Sequence, residues 1–521
     1  MDNLKEHFIK PLDEYITKAR KICDHVGYDQ IAYTLIRLIN NSKCEAKCFT
    51  SVEQLANMYE YAHRNTERDV YQAMEATVHN LCTLASRAGA QVPFSSLNLG
   101  TCTSLEGRMV TRNLLLAVEA GLGYGETAIF PISIFKLKKG VNRAPGDPNY
   151  DLKKLALRVT AKRLFPNFLN LDAPYNLKYY KVGRPETEVT AMGCRTRTIS
   201  NIHDPSKEQV TGRGNLFFTT INLPYLALEV KQEAKDGDDI VSLFFNRLEE
   251  RLNDVVNLSM DRFNLIAKRK AKNYPFLMGQ HLYVGSDDLH PDDSIGEVIK
   301  HGSMTAGFIG LAETLVALTG KHHGESAEAQ ALGLKIVKYM NDFMTEVSER
   351  TKLNFGVMGS PAEGCSGRLL RLTRKKFGTI EGVTDKDYLT NSFHVPVAMQ
   401  LSAWDKIQIE APYHQYCPAG HISYLELDAD AVSNLDALET IVDTMCDNNM
   451  GYFAINHPVD RDPVCGYVGY FPDGVCPRCG RREGEGVPVS KLLSLRSYSP
   501  DPQYDARRES SAPTATLNLV E

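Results

Sequence analysis

Cys194 lies in the run Met192-Gly193-Cys194-Arg195-Thr196-Arg197. Arginines beside a thiol favour its ionised form, and their guanidinium groups can also clamp an anion. Gly193 permits a tight turn there. Taken alone, a free cysteine is more often a small buried residue than a reactive one. A second group is Cys465, Cys476 and Cys479, the last two in a Cys-x-x-Cys turn followed by Gly480. Thiolates so spaced are zinc ligands, and a closed tetrahedral site needs four donors. A third candidate is Gly359-Ser360-Pro361-Ala362-Glu363-Gly364, read as a loop entering a helix. Ser360 is expected as its N-cap and Pro361 as its first helical residue. Free N–H groups at such a start suit phosphate oxygens, with Ser360 and Ala362 beside them. In the structural alternative Glu363 answers Ser360 in a capping box. Residues 301–307 combine small side chains with hydroxyls, so Ser303, Met304 and Thr305 are candidates to contact a nucleotide. A tight turn packed beneath a helix is the other reading of that segment. His394, His414 and His421 do not have the spacing of a compact metal motif and are read as structural or ligand-lining residues.

The elements that must hold these residues follow from periodicity. At 521 residues, 43% hydrophobic and 24% charged, the chain can bury a large core. Its net charge is -5 and no basic tract appears, which gives no support for nucleic-acid binding. No apolar run is long enough for a membrane helix and no leader pattern opens the chain, so a cytoplasmic protein is expected. Apolar spacing predicts helices over 31–39, 52–61 and 66–88, the last capped by Asn65. Further helices are predicted over 107–122, 238–270, 314–318 and 328–350, and strands over 92–100, 127–135 and 216–223. Short strands between long helices favour an α/β arrangement with a buried sheet. Beyond 450 the chain turns rich in Gly, Pro, Cys and Arg, and reads as a small metal-stabilised appendage with a flexible tail.

The motifs around Cys194 resemble the catalytic subunit of the anaerobic ribonucleoside-triphosphate reductases, a glycyl-radical enzyme family. The likeness covers roughly residues 60–480. It is carried by 192–197, by Gly212-Arg213-Gly214-Asn215, by 219–224, 148–151, 161–167 and 86–96, and by 359–364, 378–385 and 390–397. The resemblance implies an α/β fold built on a ten-stranded barrel with helical layers. Within it Cys194 would act as a thiyl radical that abstracts the 3'-hydrogen of a ribonucleoside triphosphate. It implies that Asn215 positions formate, the reductant, and that Glu363 orients the ribose. From its residues alone, Asn215 can equally satisfy the turn after Gly214. The family carries two Cys-x-x-Cys pairs in its zinc knuckle. Here Asp462 stands at the first position of the upstream pair, which makes it the expected fourth ligand, with His457 a weaker candidate. The resemblance further implies a homodimer, a nucleotide effector and an iron–sulfur activase that uses S-adenosylmethionine. The expected division is a barrel with an N-terminal dimerisation and effector region over 1–450, the knuckle over 451–490 and a tail over 491–521.

Two departures shape the expectation. The family's radical glycine follows the knuckle in an Arg-x-x-Gly-Tyr segment, whereas no glycine follows Gly486 here, so no glycyl radical is expected on these residues. The early strand that carries a second family cysteine has no match either, and the chain is expected to be N-terminally shortened. The leading expectation is a reductase that works with a partner chain. The alternatives are a piece of a split enzyme or a silent relative that binds a nucleotide or partner.

Overall fold

The computed structural model describes residues 52–85, 91–123, 125–193, 195–198, 200–427, 430–462, 464–482 and 493–494. The chain divides into two units, 1–74 and 75–521. The described part of the first belongs to helix α1, Val52–Thr83, which continues into the second. Sequence periodicity suggested two helices here with Asn65 as a cap. One helix forms instead, because residues 52–83 contain neither Gly nor Pro and an interior Asn costs well under ~1 kcal/mol. The helix expected over 31–39 lies outside the described residues.

The second unit is α/β, with two main sheets. In the first, β1 (Ser96–Leu99), β2 (Ile132–Leu137) and β3 (Asn167–Asn170) run parallel. Helices α2 (Leu105–Ala120) and α3 (Tyr150–Arg163) supply the crossovers between them. The Ser104 hydroxyl caps α2 by accepting from Gly107 N–H. The sheet is extended by β10 (Tyr452–Asn456), antiparallel to β3, and by β9 (Ser423–Glu426), parallel to β10. All five residues of β10 are buried. It therefore belongs to the sheet, although the sequence places it in the metal-bearing segment.

The second sheet is β6 (Asn215–Asn222), β7 (Ser303–Ile309) and β8 (Asn354–Gly359), all parallel. Helices α4 (Leu223–Glu233), α5 (Ile240–Ala267), α6 (Leu311–Thr319) and α7 (Ala327–Thr351) pack on one of its faces. Asp239 caps α5 by accepting from the N–H groups of Val241 and Ser242, and Ser326 caps α7. β7 is central and buried at every position. The turn that is the other reading of 301–307 does not form; Ser303–Ile309 is a strand, since a central parallel strand tolerates small residues where both faces are covered. Its side chains alternate. Met304, Ala306 and Phe308 join the helix-packed core, and Ser303, Thr305 and Gly307 fall on the opposite face.

Between the sheets runs a short hairpin, β4 (Ala191–Met192) and β5 (Thr196–Arg197). Val189 and Ala191 pack with Ile132, Ile134, Leu169, Tyr452 and Ala454 of the five-stranded sheet. A small third sheet joins β11 (Asp460–Arg461), β12 (Val468–Gly469) and β13 (Leu493–Ser494). No helix among the described residues is long and apolar enough to cross a membrane.

Candidate active site and metal cluster

Cys194 itself lies outside the described residues. Its neighbours are fastened to both sheets. On the five-stranded side, Ser96 Oγ accepts from Gly193 N–H at 3.1 Å, and Tyr452 OH donates to the Gly193 carbonyl at 3.0 Å. Asn167 Nδ2 donates in turn to Tyr452 OH at 2.9 Å. Asn98 imitates a neighbouring strand: its Nδ2 donates to Ala191 O at 2.8 Å, and its Oδ1 accepts from Ala191 N–H at 3.1 Å. Gly193 has φ +56, and a Cβ there would lie 2.3 Å from Phe94 Cε1. Only glycine takes this turn without strain.

On the three-stranded side, Arg195 Nη1 donates to Asn391 Oδ1 at 2.6 Å and to Ser360 O at 2.9 Å. Thr196 and Met358 each bridge to Gly420. Arg197 donates from Nε to Pro418 O at 3.2 Å and binds Asn176 Oδ1 through Nη1. Complete burial lowers the pKa of Arg197 from its ordinary value, opposed by Tyr175 and Tyr179. The two arginines were candidate anion clamps, but both are buried and hold protein oxygens, so they act as brackets of the hairpin.

Asn215 opens β6, just before a register shift in its pairing with β7. Its Nδ2 donates to Ser303 Oγ at 3.3 Å and to Thr305 Oγ1. It therefore spans the polar face of the sheet rather than satisfying the turn after Gly214. Arg213 fixes that turn, donating to His301 O at 2.8 Å and Gln209 O at 3.0 Å. Burial brings its pKa down to about 10. Ser303 and Thr305 meet Asn215 as a set, while Met304 points away into the core.

The loop after β8 leads into α8, Glu363–Phe377. Its geometry corrects the expected cap. Ala362, in a left-handed conformation with φ 47, precedes the helix, no side chain caps it, and Pro361 lies outside it. Ser360 is fully buried, and its hydroxyl pairs with Thr220 Oγ1 of β6 at 2.7 Å. That partner, 140 residues away in sequence, takes the oxygen that would have capped the helix. Glu363 is the first helical residue, so the capping box is not formed. The uncapped N–H groups of the first turn remain anion-seeking.

His394, His414 and His421 are buried and pair with protein atoms. They reach Ile422 O at 2.7 Å, Ser423 Oγ at 2.9 Å and Cys417 O at 2.9 Å, as structural residues would. His457 is buried too, 3.0 Å from Thr160 O, and is not part of the metal cluster.

Asp462, Cys465, Cys476 and Cys479 offer ligand atoms that all lie within 4.8 Å of one another. Asp462 Oδ1 accepts from Val464 N–H at 2.8 Å and from Arg481 Nη1 at 2.7 Å. Its Oδ2 accepts from the Cys479 thiol at 2.9 Å. One carboxylate oxygen is thus anchored and the other faces the thiols. Three sulfurs and one oxygen at this spacing fit a closed four-coordinate divalent ion.

Sequence reasoning missed Ser96, Asn98, Thr220, Asn391 and Tyr452. Ser96, Thr220 and Asn391 lie in runs that carry the resemblance, and Asn98 is a polar residue between the two leucines of its strand.

The family described as anaerobic ribonucleoside-triphosphate reductase matches residues 10–490. Two curated relatives bear that same name. The one from Salmonella typhimurium is 34% identical over 457 residues, 86% of this chain and 61% of its own. The one from Enterobacteria phage T4 is 35% identical over 437 residues, 82% of this chain and 68% of its own. This chain therefore spans about three fifths of the bacterial relative. Among solved structures, an anaerobic ribonucleotide reductase aligns with TM-score 0.62 at 14% identity, covering 87% of this chain and 69% of that one. A Thermotoga maritima anaerobic ribonucleotide reductase in complex with dATP and CTP aligns with TM-score 0.55 at 14% identity, over 85% and 69% of the two chains. A hydroxyproline dehydratase from Clostridioides difficile shares the fold at TM-score 0.50 and 11% identity, over 71% and 51% of the two chains. The α/β fold is thus similar to that of these enzymes, and by the match across 10–490 and the identity to the curated relatives the chain belongs to the anaerobic ribonucleoside-triphosphate reductase family.

Proposed function

We propose that this chain houses the active site for anaerobic reduction of ribonucleoside triphosphates to deoxyribonucleoside triphosphates. The observation that carries the reading is the hairpin bracketed between two sheets, with Gly193 tied to one and Arg195 to the other. Hydrogen abstraction by sulfur needs a thiol held at fixed distance from a sugar and shielded from other donors. In this reading the two sheets are parts of the family's ten-stranded barrel.

Cys194, as a thiyl, takes the 3'-hydrogen of the ribose and becomes a thiol. The 2'-hydroxyl leaves as water. Formate supplies two electrons together with its hydrogen, which takes the place of the hydroxyl on C2', and leaves as carbon dioxide. A proton from the medium completes the water, and Cys194 returns the hydrogen to C3' and is again a thiyl. Asn215 orients formate from the polar face that it shares with Ser303 and Thr305. Glu363 orients the ribose hydroxyls. The uncapped start of α8, with Ser360 and Ala362 beside it, receives phosphate oxygens. The radical-bearing glycine and its iron–sulfur activase are supplied from outside these 521 residues. A homodimer and a nucleotide effector, as in the notion of a regulated reductase, complete the proposal. Asp462, Cys465, Cys476 and Cys479 would hold one zinc, a structural tie with no open position for a substrate.

The test is anaerobic turnover with activase, S-adenosylmethionine, a glycyl-radical polypeptide, formate and each ribonucleoside triphosphate. Deoxyribonucleotide is expected with wild type. Cys194→Ala should give none while binding triphosphate within about threefold of wild type, because a thiol contributes little to holding a triphosphate. Equal turnover in the two proteins would overturn the assignment.

A further inference from the structure

We propose that Arg195 is a positioning residue that fixes the Cys194 hairpin against the loop before α8, with Asn391 as its partner. The inference rests on the reading of those two loops as the radical and substrate sides of one site. The carbonyls of Gly359, Ser360 and Pro361 run consecutively into the left-handed Ala362. Arg195 Nη1 binds the first at 3.4 Å and the second at 2.9 Å, and Asn391 Nδ2 binds the third. Asn391 Oδ1 also accepts from Arg195 Nη1 at 2.6 Å, which closes the set. Two side chains from distant parts of the chain therefore hold three successive carbonyls of the loop that delivers Glu363.

The arrangement leaves little room for adjustment. Arg195 is 3% exposed and Asn391 1%. A Cβ at Gly359 would lie 2.9 Å from Ser392 Cβ. The segment holding Asn391 is itself tied to the end of β7, through Gly310 N–H to Thr390 O at 2.8 Å. Any shift of the hairpin at Arg195 is thus passed to the loop before α8. All three acceptors of Arg195 meet the one nitrogen Nη1. A lysine would keep the charge, but its stem ends one atom short of that position, so its ammonium would not reach them together. Arg197 cannot take over, since it faces Pro418 and Asn176.

Hydrogen–deuterium exchange on the full chain tests this, read on peptides over 190–198 and 357–367. Arg195→Lys and Asn391→Ala should each speed exchange in both peptides by about tenfold or more, with the double variant no faster than the greater single. Peptides over Ile132–Leu137 should not change. Asn391→Asp, which keeps the acceptor for Arg195 but loses the donor to Pro361, should leave 190–198 slow and speed 357–367. In wild type, each bound ribonucleoside triphosphate should protect both peptides. In Arg195→Lys it should protect 357–367 alone, with a Kd within about threefold of wild type. Wild-type exchange over 357–367 in Arg195→Lys and Asn391→Ala would overturn the proposal, as would triphosphate protection over 190–198 that survives in both. If no triphosphate alters exchange in wild type, the substrate reading fails, and the ligand-free comparison alone decides the role of Arg195.

Discussion

Asn215 shows how one uncharged side chain can organise a polar face. Its amide nitrogen serves two hydroxyls, Ser303 and Thr305, on the neighbouring strand. An amide offers a donor and an acceptor without adding charge beside an anion such as formate. Asn215→Ala should therefore lower turnover by roughly 100-fold, the scale of losing one positioned donor. It should raise the formate KM while triphosphate affinity holds. Asn215→Asp should do worse, because a carboxylate repels formate. Steady-state kinetics at varied formate check both, and an unchanged formate KM in Asn215→Ala would reassign the residue to packing. Asn215 was legible through its motif, and Ser303 and Thr305 as candidate nucleotide contacts, but the pairing among the three was not.

At the scale of elements, helices with a polar cap and a clear 3.6-residue pattern were readable, and α5 behind Asp239 is the best case. Two of the misreadings share one cause: a distant partner overrode a local signal. Ser360 looks like an N-cap until Thr220 claims its hydroxyl. The run of small and hydroxyl residues at 301–307 could also be read as a turn until both faces are covered. Gly307 explains why that strand is small. A Cβ there would lie 2.1 Å from Ser360 Oγ and 3.1 Å from Thr220 Oγ1. Gly307→Ala should destabilise the fold by about 1–3 kcal/mol through overpacking. It should also separate the hydroxyl pair and weaken triphosphate binding, readable by urea unfolding and by titration calorimetry. The cysteine-rich element was more legible, because a Cys-x-x-Cys turn brings its two thiols close by itself. Protein purified without added metal should carry one zinc per chain by elemental analysis, and Cys476→Ser with Cys479→Ser should carry none. The loss should speed hydrogen exchange over 460–482 and leave Ile132–Leu137 as slow as before. Zinc retained in the double variant would refute the ligand set.

The whole molecule keeps several histidines neutral inside, and that sets how it meets acid. Burial lowers His323 to about 4 and His394 and His414 to about 3, and it lowers His421 well below its ordinary value. His301 falls to about 4, again through burial, with His203 and Lys207 adding to it. An unfolded histidine titrates near ~6.5. Between that value and the lowered folded ones, the unfolded chain binds protons that the folded chain refuses. The stability is therefore fully present above the unfolded value and is lost as pH falls toward 4 and 3. Each such proton adds about 1.4 kcal/mol per pH unit to the slope. Glu410 acts in the same direction at lower pH. Burial opposes its ionisation, but Lys406 and His394 outweigh that and bring it down to about 2. Its contribution holds above the ordinary carboxylate value and is lost as pH falls through the lowered one. Urea unfolding midpoints at constant ionic strength should be level between about pH 7 and 8 and fall steeply below ~6.5. His421→Gln should make that fall shallower by up to one proton, since its ring, tilted against His414 with centroids 4.4 Å apart, is buried and its charge is opposed by Arg197, His414 and Arg195. A level profile from pH ~6.5 to ~4.5 would mean that these rings reach solvent in the folded chain, or that the attraction of Glu410 for His323, His394 and His414 outweighs the cost of burial.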